Sequence, residues 1–178
     1  MSPKFLRIVL SFLAPFLFIN QAVLAGEDWK PVSPEEMSAK SPKVEPDADA
    51  EAIFWEVRVD DSSSNELALK HYVRVKIFTE KGRNNFSKHD IPFINGTRVK
   101  DVEARVTKPD GSIVFLKKED VLEREIVRAS GIKVRAKSFA LPGLEVGSIV
   151  EYRYREIIND GEANMRLIFQ REVPIQNI

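Results

Sequence analysis

The chain has 178 residues, 27 Lys plus Arg against 27 Asp plus Glu, and no cysteine. Balanced and interspersed charge excludes the basic footprint of a nucleic-acid binder, so no nucleic-acid partner is expected. The lack of cysteine excludes disulfide staples and a lipid-modified N-terminus, so a buried core must hold the fold.

In chain order, Lys4 and Arg7 form a short positive segment, followed by Ile8 to Ile19, apolar except for Ser11 and Pro15. Ala22-Val23-Leu24-Ala25 then offers small residues before a cleavage point. Charge, apolar run and small-residue exit come in the order of a secretory signal. A spanning helix needs about 20 apolar residues, more than this run supplies. We therefore expect residues 1–25 to be a signal peptide cleaved after Ala25, leaving 178 − 25 = 153 residues and no permanent membrane anchor. The mature product is expected to be periplasmic or secreted. Its charge becomes −2, because Lys4 and Arg7 leave 25 basic against 27 acidic residues.

Residues 26–50 read as a proline-rich lead-in, with Pro31, Pro34, Pro42 and Pro46. Ser33-Pro34-Glu35-Glu36 has the form of an N-cap, a first-turn proline and first-turn acids. This predicts a short helix ending before Pro42, in a tether that packs loosely. From residue 51 to 178 the period is that of strands. Ile53, Trp55, Val57 and Val59 alternate with Phe54, Glu56 and Arg58, and Val73, Val75 and Ile77 alternate with Arg74 and Lys76. The first of these strands breaks at a turn over 61–65, and the second ends at a turn at Lys81-Gly82. Phe86 to Ile94 reads as a third strand, its Pro92 marking an edge or a bulge.

Asn95-Gly96 predicts a hairpin turn into Val99–Val106, and Pro109-Asp110-Gly111 predicts a second turn into a short strand over 112–116. A helical turn at 117–120 and a hairpin around Ser130-Gly131 follow. Bends at Leu141-Pro142-Gly143 and Val146-Gly147 then lead to a long strand, Ser148–Ile157. After a turn at Asn159-Asp160-Gly161, a last strand is expected over Met165–Glu172. Short strands separated by turn signals predict an all-β antiparallel sandwich or open barrel. Trp55, Val57, Val73, Val75, Ile77, Val102, Ala104, Val106, Ile149, Tyr152 and Phe169 are expected to be buried, and Gly111 and Gly147 to have positive φ. The final residues, Val173–Ile178, look like the start of another segment, so the native polypeptide is expected to continue.

Catalytic chemistry finds little support. The two histidines, His71 and His89, lie on predicted strands with no nucleophile elbow nearby, and they read as satisfied or surface imidazoles. The adjacent pairs Glu35-Glu36, Asp60-Asp61 and Glu119-Asp120 point to opposite faces or occupy caps and turns, and lack the apolar flanks that raise a catalytic carboxyl. No ligand spacing for zinc is present. Asn95-Gly96-Thr97 matches a glycosylation sequon, but its turn chemistry accounts for the same residues. Trp55, Tyr72, Phe78, Tyr152 and Tyr154 are expected to pack in the core or across strands rather than line a groove. We assign no catalytic, cofactor or metal residue.

Three blocks carry a resemblance: Tyr72–Arg83 (YVRVKIFTEKGR), Ala104–Ser112 (ARVTKPDGS) and Lys137–Tyr154 (KSFALPGLEVGSIVEYRY). With Phe169-Gln170 and Pro174 behind them and Trp29–Val32 and Glu35-Glu36 ahead, the chain from about Pro46 onward resembles the bacterial family called domain of unknown function 3857. The resemblance implies a β-sandwich-like domain of exported proteins, N-terminal to a transglutaminase-like domain of cysteine-protease fold that carries a Cys-His-Asp constellation. This chain has no cysteine, so no catalytic residue carries over. The expected role is a non-catalytic accessory module that packs on, or presents substrate to, such an intramolecular partner. A free-standing module binding a peptide or cell-wall glycan is the alternative. A small hydrolase using His71 or His89 is a third and weaker one.

Overall fold

The computed structural model of the chain describes residues 29–63, 66–94, 96–129, 131–158 and 172–178. The chain divides into two units, Met1–Pro31 and Val32–Ile178, and the architecture below belongs to the second. Its elements are α1 (Pro34–Ser38), β1 (Ala50–Ser63), β2 (Glu66–Ile77), α2 (Glu80–Phe86), β3 (Lys88–Phe93), β4 (Thr97–Thr107), β5 (Ile113–Phe115), a 3₁₀ turn (Lys118–Asp120), β6 (Leu122–Ala129), β7 (Ile132–Ala140) and β8 (Ile149–Ile158). They form a five-stranded sheet, β1-β2-β8-β4-β5, and a three-stranded sheet, β3-β7-β6. Among the described residues every pairing between these strands is antiparallel, and neither sheet closes into a barrel. The sandwich expectation therefore holds.

The core lies on one face of the large sheet. Val75, Val150 and Val106 stand in one row across β2, β8 and β4, and Val73, Tyr152 and Ala104 in the next. Ile91, Phe93 and Phe139 reach this core from the small sheet. Among the described members of the expected core, Val73, Val75, Ile77, Ala104, Val106, Ile149 and Tyr152 are buried, and Trp55 and Val102 pack against them half-buried, whereas Val57, expected to be buried, is half-buried and outside the core cluster. Ile149 is buried on the opposite face, where it pairs with Lys76 and Thr107. Burial at that end of the large sheet is two-sided, which alternation alone does not reveal. Phe169 and the expected strand Met165–Glu172 fall outside the described residues, apart from Glu172, which lies in a bend.

Glycine turns are where the sequence anticipated them, with Gly111 at φ +86° and Gly147 at φ +87°. The Gly111 turn is closed by its own N–H donating to Lys108 O at 2.9 Å. Pro92 lies on β3, an edge strand of the small sheet, as a residue without an N–H requires. The turn before β4 is also present: Gly96 has φ +83° and Thr97 N–H donates to Ile94 O at 3.1 Å. It does not make the expected hairpin, because β3 pairs with β7 while β4 pairs with β8. The turn instead carries the chain from one sheet to the other.

Two further expectations are corrected. Lys81-Gly82 is not a turn ending a strand but part of α2, capped by Thr79 Oγ1, which accepts from Gly82 N–H at 3.1 Å. Gly82 is buried there because a Cβ would overlap the carbonyl oxygen of Asp49. The lead-in is likewise no loose tether. Helix α1 has the anticipated cap, with Ser33 and Glu36 bonded reciprocally, and the segment behind it is anchored to the large sheet by the contacts described next.

Candidate functional site

On the face of the large sheet away from the core, alternation places Tyr72, Arg74 and Lys76 of β2 beside Glu151 of β8 and Arg105 of β4. Arg74 pairs directly with Glu151, and Glu151 with Arg105. Glu151, Arg74, Lys76 and Arg105 are all buried. Glu151 accepts from Arg74 Nη2 at 2.8 Å, Arg105 Nε at 2.5 Å and the Tyr72 hydroxyl at 2.6 Å. Arg74 also donates from Nη1 to both oxygens of Glu36, at 3.1 and 2.8 Å. Burial alone would depress the Arg74 pKa, but the carboxylates of Glu151 and Glu36 raise it.

The lead-in covers this end of the face. Lys76 Nζ donates to Met37 O at 2.8 Å and to Gly147 O at 2.6 Å, and burial, then the charge of Lys40, lowers its pKa. Glu51 of β1 accepts from Lys43 N–H at 3.0 Å, Val44 N–H at 2.6 Å and Gln176 Nε2 at 2.6 Å. Burial pushes the Glu51 carboxyl up, and these hydrogen bonds outweigh it and hold it below its ordinary range. Nothing in a single strand's alternation announces this cluster. Its only signal in the sequence is Arg, Lys and Glu alternating with Val.

The cluster is saturated: the Glu151 carboxylate oxygens face two guanidiniums and a phenol, so its acceptor sites are taken up within the domain. The histidines do no better as catalytic groups. His71 is buried and stacks on Tyr154 with ring centroids 4.3 Å apart. Its Nε2 lies 3.4 Å from the Glu156 carboxylate, not aligned as a hydrogen bond, and neither ring nitrogen has a hydrogen-bond partner. The expectation of a satisfied or surface imidazole is thus wrong for His71.

His89 packs on Tyr152 at 4.4 Å and Phe139 at 5.4 Å, and burial pushes its pKa down to about 4. Asp90 accepts from the Ser138 hydroxyl at 2.5 Å, which brings Ser, His and Asp close in space. Yet successive strand residues face opposite ways, so His89 points to the aromatic core while Asp90 holds Ser138 and Arg124 outside. The serine has no imidazole to take its proton.

The aromatics serve packing. Trp55 meets Tyr152 edge-on at 6.3 Å, and Phe54 meets Tyr72 edge-on at 5.0 Å. Among the described residues no group of three or more His, Cys, Asp or Glu side chains is placed to hold a metal ion, and no helix is long and apolar enough to cross a membrane.

These features define a class: an antiparallel two-sheet β domain without disulfides, whose second face is closed by an N-terminal strap over a buried ion cluster. The chain belongs to the DUF3857 family, a domain of unknown function whose family model matches residues 63–178. That match begins at the end of β1, although β1 pairs with β2 along almost its whole length. A crystal structure from Parabacteroides distasonis ATCC 8503, provisionally described as a protease, is similar with a TM-score of 0.56 at 18% identity. The likeness covers 71% of this chain and 27% of that one, so the chain spans about a quarter of the length of the protein it matches. The search of curated proteins finds no relative.

Proposed function

We propose that this domain is an exported, non-catalytic accessory module of a larger protein, placed N-terminal to a transglutaminase-like domain on which it packs or to which it presents substrate. The observation that carries the reading is the closed Glu151 cluster. This buried polar constellation is tied up in holding the strap and the sheet together. A fold occupying about a quarter of a longer chain in the Parabacteroides protein supports a modular role. The N-terminal signal pattern supports export, with residue 26 as the first of the mature chain.

The test is the mass of the native polypeptide in a periplasmic fraction, detected with an antibody to residues 51–170, together with its N-terminal sequence. A species much larger than about 18 kDa, the size expected after signal removal, and starting at Gly26 is the expected outcome. A mature species of about 18 kDa would overturn the modular reading in favour of a free-standing peptide- or glycan-binding domain.

A further inference from the structure

The strand β4 is covered on one side along its length by β8, but on the other side β5 pairs only with Arg105–Thr107. The last bond on that side is Leu116 N–H to Ala104 O, at 2.9 Å. The chain then leaves through the 3₁₀ turn toward the small sheet. Among the described residues no strand pairs with the outer edge of Thr97–Glu103. At that stretch the β4–β8 register breaks between Lys100 and Glu103, and Asp101 adopts φ +53°, unusual for a residue with a side chain. Bulges and strained residues of this kind gather where a strand edge is put to use.

Beside the bulge lies a notch of about 470 Å³. Val99 and Val102 of β4 and Leu116 and Val121 of the departing chain line it, all buried in or packed against the core. Its rim is charged, and the charges do not cancel. Asp101 is held by Arg155 at 3.0 Å and Glu103 by Arg153 at 2.6 Å. Lys137 is held by Glu123 at 2.9 Å. Lys100 and Lys118, both exposed, have no ion-pair partner among the described residues. An apolar floor, a free row of backbone donors and acceptors, and two uncommitted ammonium groups converge on one place.

We propose that this notch is a peptide-binding site that takes an extended segment with alternating acidic and apolar side chains as an added strand on β4. Strand addition draws affinity from main-chain bonds and specificity from every second side chain. Period-two alternation would send apolar side chains to the Val99–Val121 floor and carboxylates to Lys100 and Lys118. The inference goes beyond the accessory role and holds whether the domain stands alone or heads a longer chain. Its competitor is that lysines and a bulge simply protect an edge strand from pairing, in which case nothing binds.

The test uses the full mature chain and a fluorescein-labelled heptapeptide of alternating Glu and Val, read by anisotropy. Saturable binding is expected, weakened at least tenfold by Lys100→Glu with Lys118→Glu and accompanied by amide shifts at Thr97–Glu103 in NMR spectra. Both lysines are exposed, so these variants keep the fold. The same peptide with a central Pro, or with Lys for Glu, is expected not to bind. The proposal is overturned by absence of binding, by equal binding of the Pro peptide, by indifference to the lysine reversals, or by amide shifts centred elsewhere.

Discussion

Glu151 is the residue on which the closed face depends. It sits between Arg74 and Arg105 with no exposure, and a buried ion pair broken on one side leaves an uncompensated charge. Glu151→Gln keeps the volume and removes the charge, so a loss of about 3–5 kcal/mol is expected from urea unfolding. A loss below about 1 kcal/mol, the scale of an exposed pair, would mean the cluster is solvated.

His89 gives a second prediction at the same scale. Its pKa falls from 6.5 to about 4 through burial, opposed by the neighbouring Asp90. The folded chain therefore keeps the ring neutral at pH values where the unfolded chain binds a proton. The stability associated with the neutral ring is fully present above pH 6.5. It declines as pH falls toward 4, by up to about 3 kcal/mol. His89→Phe should remove most of the slope between pH 6.5 and 5, where most carboxylates are still ionised, in unfolding curves measured across that range. An unchanged slope would show that the ring is hydrated in the folded state.

The strap is the element whose role sequence alone concealed. Its helix was legible, because Ser33, Pro34 and Glu36 act within one turn. Its docking was not, because Glu36 meets Arg74 across 38 positions and Lys76 meets Met37 across 39. Gly82 shows the same limit: a glycine after a strand reads as a turn, and only the distant Asp49 backbone explains a helical one. By contrast, Gly111 and Gly147 were legible because their left-handed φ is a local demand. Arg74, Arg105 and Glu151 all lie in the motif blocks, yet nothing in those blocks says what covers their face. The two roles of Glu36 can be separated. Glu36→Gln retains an N3 side chain able to complete the capping box but loses the charge facing Arg74. We expect destabilisation by about 1–3 kcal/mol, the value of hydrogen bonds to charged groups. Faster amide exchange over residues 33–44 is expected with it, while β2 and β8 stay protected. Unchanged exchange in that segment would show that Arg74 does not hold the strap.

At the scale of the whole domain, β1 is an edge strand of the large sheet, and residues 174–177 lie along it. Ala52 N–H donates to Pro174 O at 2.8 Å, Gln176 N–H returns to Ala52 O at 2.9 Å, and Trp55 N–H donates to Asn177 O at 3.0 Å. These bonds fall where the β1–β2 register shifts between Ala52 and Phe54. Gln176 also reaches Glu51, which at the same time holds the strap through Lys43 and Val44. One buried carboxylate thus ties both flanks of the domain to its edge strand. Removing residues 173–178 deletes three main-chain bonds, each worth about 1 kcal/mol, along with the half-buried contacts of Val173 and Ile175. It also uncovers strand backbone that can pair with another copy. The truncated chain is expected to lose about 3–5 kcal/mol. It should exchange faster at residues 43–44 through the loss at Glu51, and self-associate with concentration in light scattering. A truncated chain that stays monomeric with full stability would show that the terminal segment contributes nothing to the edge. Loss of stability with the strap still protected would place the coupling in the backbone bonds rather than in Glu51.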